Sequence, residues 1–404
     1  MLAGMERRAA PPEAFPRAPL SWLSPLMSAR SSSGKAVTAE SSLEVVAVWS
    51  AVSLLAGAIG SLPLKVYGDG TIRREARSSR QWRLLGEQPN PEMAADEFWE
   101  FVATSLLLWG NAYVWKRRDA NGLVSELWPI SPARVGVGRA DATGGGTVRC
   151  YWLDGTGRAF ESDILHIRGL GMDANVGLSP IQLARQTLGN QMSLEEFQGA
   201  FWRNGAFFSA ALQHPNQLSE VAQKRLANQL AQMSGAENAG SVFVFEEGMT
   251  YVPLTMPLED AQFLEQSKLT DLRVAQLFRV PPYMLGAETA KSMTYSNSEM
   301  ESLDFVKWSL RRWLVRIERA VNRDTGIFPP PGKRLACEFD VDALLRADTK
   351  SRYEAHQIAI GSRFKTINEV RVEESLPPVD GGDSLDTEPD AGGAPIGADD
   401  GVAA

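Results

Sequence analysis

The sequence is short of the residues that metal, disulfide and thiol chemistry need. Its two cysteines, Cys150 and Cys337, lie far apart and have no CxxC partner, so they read as reduced, buried thiols. The three histidines, His166, His214 and His356, form no HExxH pair and no cluster with cysteine, which argues against zinc. Long hydrophobic runs are also missing. The apolar stretch from Val45 to Ile59 is too short to cross a bilayer, and residues 1–40 contain no continuous apolar segment of the signal-peptide kind. The expectation is a protein made in the cytoplasm without a membrane span. Gly144-Gly145-Gly146 is followed neither by GK[ST] nor by a helical pattern, so it reads as a turn, and nothing else suggests a nucleotide-binding loop. Positive charge is not in excess: 41 Lys and Arg stand against 49 Asp and Glu, for a net charge of −8. That balance argues against a module whose task is to grip nucleic acid by counterion release.

What remains is an ordinary globular composition, 44% apolar and 22% charged over 404 residues, enough for one large core or two to three smaller ones. Eleven tryptophans suit extensive packing or subunit contacts. Residues 1–42 read as a flexible arm ending near Ser31-Ser32-Ser33-Gly34. Residues 379–404 read as a disordered acidic tail, rich in Gly and Ala, with seven acidic residues and no Lys or Arg.

Between these ends the pattern is α+β. Val45, Val48, Val52, Leu55 and Ile59 recur at helical spacing until Pro63, and Leu64–Tyr67 reads as a strand. A second helix is expected from an N-cap at Asp96 to Trp109, stopped by Gly110-Asn111. Short strands follow at 112–117, 123–129, 134–137, 148–153 and 164–167, with hairpin chemistry at Asp119–Gly122 and Asp154–Gly157. Ser179-Pro180 opens a long helix with a cap, a first-turn proline and Gln182; it reaches about Asn204, with Gly189 and Gly199 as weak points. Strand, helix and two strands (207–212, 219–233, 241–245 and 250–253) precede a helix over 258–278 that ends at Val280-Pro281-Pro282. After 286–297 another helix runs to about Arg323. The plan is a compact insertion between two long helices, which places that insertion at the far end of a stalk.

Several segments, taken in order, resemble the tailed-bacteriophage portal family in the short form of long-tailed phages, prophages and gene transfer agents. They include Gly60–Tyr67, Pro89-Asn90-Pro91, Leu107–Val114, Leu127–Ile130, Ile164–Arg168 and Gly177–Ile181. The most distinctive are Phe278–Gly286, containing Val280-Pro281-Pro282-Tyr283-Met284-Leu285-Gly286, and Thr294–Glu299. The resemblance implies a portal fold: a wing at 43–178, stem helices at 179–205 and 258–280, and a small α/β clip at 206–257. Residues 281–340 would hold the tunnel loop, a long helix and the return to the wing, and 341–378 a short helical crown. It implies a ring of about twelve copies at one capsid vertex, a channel for packaging and ejection of double-stranded DNA without sequence specificity, and no cofactor. Implied partners are the major capsid protein, the terminase and the head–tail adaptor. An acidic protein suits such a conduit, which must let DNA slide. Within the tunnel loop, Lys291, Ser292, Thr294, Tyr295 and Asn297 are the candidates to face DNA. Relatives often carry proline at the position of Arg312, so the long helix is expected to be straighter here.

The long helix also carries Lys307, Arg311, Arg312, Arg316, Arg319 and Arg323 opposite an apolar face. In a ring, Arg311, Arg316 and Arg319 are candidates to pair between subunits with stem carboxylates such as Glu265 and Asp271. The reading from another class is a soluble hydrolase or nucleic-acid-processing enzyme. It would need a carboxylate cluster or a Ser/His/Asp set, and no spacing singles one out. His166, in the apolar Ile164–Ile167 strand, reads as a hydrogen-bonded core histidine.

Overall fold

The computed structural model describes residues 30–68, 74–141, 147–154, 157–172, 174–203, 210–213, 220–221, 223–225, 250–253, 260–286, 303–329, 335–341, 349–374 and 376–385. The chain forms two units, Met1–Asp340 and Val341–Ala404.

The first unit is organised on two helices, α1 (Val46–Ser61) and α2 (Ala95–Trp109), packed along their apolar stripes. Val48, Leu55 and Ile59 of one and Val102 and Leu106 of the other are buried in that contact layer. The expected N-cap of α2 at Asp96 moves two residues back to Ala94, whose N–H donates to the Glu97 carboxylate at 3.3 Å. Asp96 instead sits in the first turn, where a negative charge suits the helix dipole. Nearby, the Trp99 indole N–H donates to Leu85 O at 2.9 Å and its ring meets Phe339 edge-on at 5.9 Å.

Three antiparallel sheets surround this pair. In the first, β1 (Leu64–Gly68) lies between β2 (Arg74–Glu75) and β11 (Leu335–Phe339), so the chain end of the unit returns to its beginning. In the second, β3 (Asn111–Arg118) lies between β4 (Val124–Ile130) and β8 (Ile164–Arg168). The third is β5 (Val135–Asp141), β6 (Thr147–Leu153) and β7 (Gly157–Phe160). The sequence pattern had no strand at β7, a four-residue edge with one buried side chain, Ala159. The β3–β4 turn is built as its residues predict: the Asp119 carboxylate accepts from Asn121 and Leu123 N–H at 2.9 and 3.0 Å.

The helix expected from Ser179 begins there, with Ser179 Oγ accepting the Gln182 N–H at 3.2 Å. It breaks at Ala184, between a single turn, Pro180–Leu183, and α3 (Arg185–Arg203). Gly189 is not a weak point but a seat. Ser33 Oγ donates to Gly189 O at 2.9 Å, and a Cβ at position 189 would fall 2.2 Å from Ser31 Oγ. The Ser32 N–H donates to Gln186, Lys35 pairs with Glu196, and Val37 and Ala39 are buried. Residues 30–42 therefore belong to the folded unit and not to a flexible arm. Their small serines let the turn reach the helix backbone, a tertiary contact that composition does not encode.

β9 (Ala210–Gln213) and β10 (Thr250–Pro253) pair antiparallel in the insertion, and α4 (Asp260–Phe278) returns to pack on α3. The expected strand 241–245 and most of the helix over 219–233 lie outside the described residues. α4 stops where Arg279 takes a left-handed φ of 58° ahead of Pro281 and Pro282. The later helix is not uniformly wound. Phe305–Leu310 is a π-helical stretch, and α5 (Arg311–Arg323) continues it, so the removal of proline at Arg312 does not leave one regular helix.

In the second unit, α6 (Thr349–Gly361) is followed by α7 (Ile367–Glu373), which starts with a Thr366/Glu369 capping box. Glu374 accepts from Arg352 Nη2 at 3.1 Å and lies 3.1 Å from His356 Nε2. Buried Asn368 bonds Val379 through both its N–H and its carbonyl, and reaches Asp383 at 3.0 Å. The first seven residues of the expected disordered tail, through Leu385, are thus tied to a helix.

Candidate functional site

The charge pattern of α5 becomes a site once its apolar face is buried. Leu310, Trp313, Leu314, Ile317 and Val321 pack inward, and the arginines are left along the other side. Between that side and the β3–β8 sheet runs a groove of about 1310 Å³. The helix side contributes Lys307, Arg311, Arg312, Arg316, Arg319 and Arg323. The β3–β8 sheet contributes Lys116, Arg118 and Arg168, β6 of the neighbouring sheet contributes Arg149, and Arg279 follows α4 into the lining. Against these eleven cations the lining holds two carboxylates, Glu161 and Asp324.

Both carboxylates are already used. Asp324 pairs with Lys116 at 2.6 Å and accepts from the Gly326 and Ile327 N–H groups. Glu161 meets Arg149 at 3.3 Å. Other cations lean on carbonyls: Arg118 donates to Gly122 O and Ser162 O, and Arg168 to Ala174 O. Arg316 donates to Arg168 O at 3.1 Å and to Gly169 O at 2.7 Å, clamping α5 to the end of β8. Arg312 stacks over Trp313 at 4.4 Å. Burial first, then the charges of Arg279 and Arg316, lower its guanidinium to about 10. Arg168 is lowered by burial and by Arg149 beside it. Among the described residues the groove is a crowd of like charges with two carboxylates against eleven cations.

Beside the groove, which His166 also lines, a polar chain ties β8 and β3 to the segment before Ser179. Tyr151 OH is 3.4 Å from His166 Nδ1, and His166 Nε2 is 3.0 Å from Asn111 Oδ1. Asn111 Oδ1 accepts the Gly177 N–H at 2.7 Å, and its amide donates to Gly177 O and Trp109 O. The carbonyl oxygen Oδ1 requires His166 to donate from Nε2, which leaves Nδ1 to accept from the tyrosine. Burial, then Arg168 and Arg149, hold this histidine well below its ordinary value, hence neutral. The same tie needs Gly110 bare: its φ is 71°, and a Cβ would lie 2.0 Å from Leu178 O. His166 is thus a structural residue, as its strand context predicts.

Of the residues singled out in the sequence, the structure brings Arg311, Arg316 and Arg319 together on the groove, with Arg316 bonded within its own chain. Asp271 lies apart on α4, half-buried, and its carboxyl is raised by burial and by Glu195 on α3. Glu265 is on the same helix, with its side chain outside the described ones. Lys291, Ser292, Thr294, Tyr295 and Asn297 lie outside the described residues. The sheet-side cations were missed. The spacing of Lys116 and Arg118 on one face of β3 was a legible sign, but the approach of β3 and β8 to α5 was not. Among the described residues no group of three His, Cys, Asp or Glu could hold a metal ion, and no helix is long and apolar enough to cross a membrane.

Comparison with known proteins agrees with this architecture. The family model described as phage portal protein matches residues 46–374. The portal protein of Enterobacteria phage HK97 is 30% identical over 350 residues, 84% of this chain and 81% of that protein. Among solved structures, an HK97-family phage portal protein from Corynebacterium diphtheriae superposes with a TM-score of 0.59 at 17% identity, covering 78% of this chain and 98% of its own. A chain from the neck of a native gene transfer agent particle, computed with C12 symmetry, gives a TM-score of 0.52 at 24% identity, covering 84% and 94%. The match over most of its length and the shared mixed helix-and-sheet fold lead to one assignment: the chain belongs to the phage portal protein family.

Proposed function

We propose that about twelve copies of this chain close a ring at one vertex of a phage or gene-transfer-agent capsid. Its channel passes double-stranded DNA during packaging and ejection. The chain is made in the host cytoplasm, enters the shell beside the major capsid protein, and docks first the terminase and then the head–tail adaptor. It has no catalytic role; its mechanism is geometric, a heterologous interface repeated until the rotation closes. The observation that carries this reading is the family match over residues 46–374. The twelve-fold symmetry of the gene transfer agent neck supports the copy number.

In this reading Lys291, Ser292, Thr294, Tyr295 and Asn297 face the DNA as weak, sequence-independent contacts. Glu265, Asp271, Arg311, Arg316 and Arg319 serve the subunit joints. The test is disruption of the gene in a particle-producing strain, followed by measurement of nuclease-protected DNA in purified particles. The expected result is empty heads and recovery on complementation. Full heads in the disrupted strain would overturn the proposal.

A further inference from the structure

The groove beside α5 poses an electrostatic problem within a single chain. Among the described residues eleven Lys and Arg share it with two carboxylates, both engaged locally. Among the described residues Arg311, Arg319 and Arg323 have no carboxylate partner. The rest of the molecule has the opposite surplus, because the whole chain carries 49 acidic residues and a net charge of −8. We propose that the groove is one half of the joint between neighbouring copies of this chain and receives carboxylates of the next copy, with Asp271 and Glu195 on the stem helices as the opposing half. The proposal rests on the ring reading above.

Three observations support it. The helix side of the groove is a stripe: Arg311 to Arg323 is thirteen residues of helix, about 18 Å from first to last at about 1.5 Å per residue. A facing helix of comparable length can lie along it, and α3 and α4 are each 19 residues long. Next, Asp271 is half-buried on α4 where it packs on α3, and Glu195 is exposed on α3, where it accepts from Gln191 at 2.8 Å; burial first, then the charge of Glu195, raises the Asp271 carboxyl. Each half therefore carries the repulsion that the other would relieve.

The third observation is one of symmetry. Two copies cannot meet groove to groove, since like charges would be juxtaposed across a two-fold axis. A basic face and an acidic face at different places on the same chain permit head-to-tail contact, the kind that generates rings. Duplex DNA fits the groove less well. Arg168, Arg312 and Arg316 are half-buried in a recess of about 1310 Å³, which suits inserted side chains better than the broad surface of a duplex.

The test is native mass spectrometry of the full chain at low and moderate salt, with four proteins: wild type, Arg311→Glu/Arg319→Glu, Asp271→Lys/Glu195→Lys, and all four changes together. Arg311, Arg319 and Glu195 are exposed, and circular dichroism checks that each variant folds. The expected result is a ring fraction reduced by about tenfold or more in each pairwise reversal and restored in the combined chain. Rings unaffected by either reversal would overturn the joint and leave the portal reading standing. Loss in both without recovery would overturn the pairing of the two halves. Rings retained by Arg311→Glu/Arg319→Glu together with lost retardation of duplex DNA would give the groove to nucleic acid and overturn the proposal. Wild-type monomers under every condition would count against both the joint and the ring.

Discussion

Lys116 on β3 and Asp324 at the end of α5 form an ion pair of 2.6 Å in which the side chains are only 2% and 9% exposed. The lysine also donates to Glu161 O at 3.1 Å, so the pair pins the long helix to the central sheet at the floor of the basic groove. A desolvated charge is tolerated only while its partner is present. Lys116→Ala or Asp324→Ala is expected to destabilise the fold by about 3–5 kcal/mol. Lys116→Met combined with Asp324→Asn, which retains an acceptor for the Gly326 and Ile327 N–H groups, should recover most of that loss. Urea unfolding of the three variants measures the comparison.

Gly110 and Gly122 both have positive φ, 71° and 77°, but only Gly110 is hemmed in. Gly122→Ala should cost about 1–2 kcal/mol, the left-handed penalty alone. Gly110→Ala adds a Cβ 2.0 Å from Leu178 O, so backbone must move where Gly110 meets Leu178, for a further cost of about 1–3 kcal/mol or more. Thermal unfolding should rank Gly110→Ala well below Gly122→Ala; equal shifts would mean that this contact is slack.

His166 gives the first unit a pH dependence with a definite sign. Its folded-state value lies well below the ordinary 6.5, chiefly through burial. The stability it contributes is fully present above about pH 6.5 and falls as pH drops through that value toward the folded one, because only the unfolded chain takes the proton. Between about pH 6.5 and 5, before most carboxylates titrate, wild type should lose stability with falling pH. His166→Gln, which cannot titrate, should flatten the curve in this window. An unchanged slope would contradict the assignment.

Asn368 holds the segment after α7 through three hydrogen bonds to Val379 and Asp383. Asn368→Ala should leave α6 intact and raise amide hydrogen exchange across 376–385, since each lost part-buried bond contributes about 0.5–1.5 kcal/mol. Unaltered protection there would show that the segment is held by other contacts.

What the sequence made legible is what local chemistry decides. Ser179-Pro180 caps a helix within four residues, Asp119 folds its own turn, and Pro63, Pro281 and Pro282 stop helices by lacking a donor. The stripe Leu310, Trp313, Leu314 and Ile317 likewise announced which face of α5 is buried. What stayed hidden depends on distant partners. The seat of Ser33 on Gly189 is 156 residues away along the chain, and the Arg316 clamp reaches Gly169 across 147. The break at Ala184 has no proline or glycine to mark it. For the same reason the basic stripe was visible but the groove was not: Lys116, Arg118, Arg149 and Arg168 reach it only through sheet pairing.

The central claim is that this chain closes into a portal ring, and electron microscopy of the purified protein, with class averages down the particle axis, tests it most directly. The account predicts closed rings of about twelve subunits around a hole wide enough for duplex DNA. Compact monomers or two-fold dimers at every salt and protein concentration would contradict it.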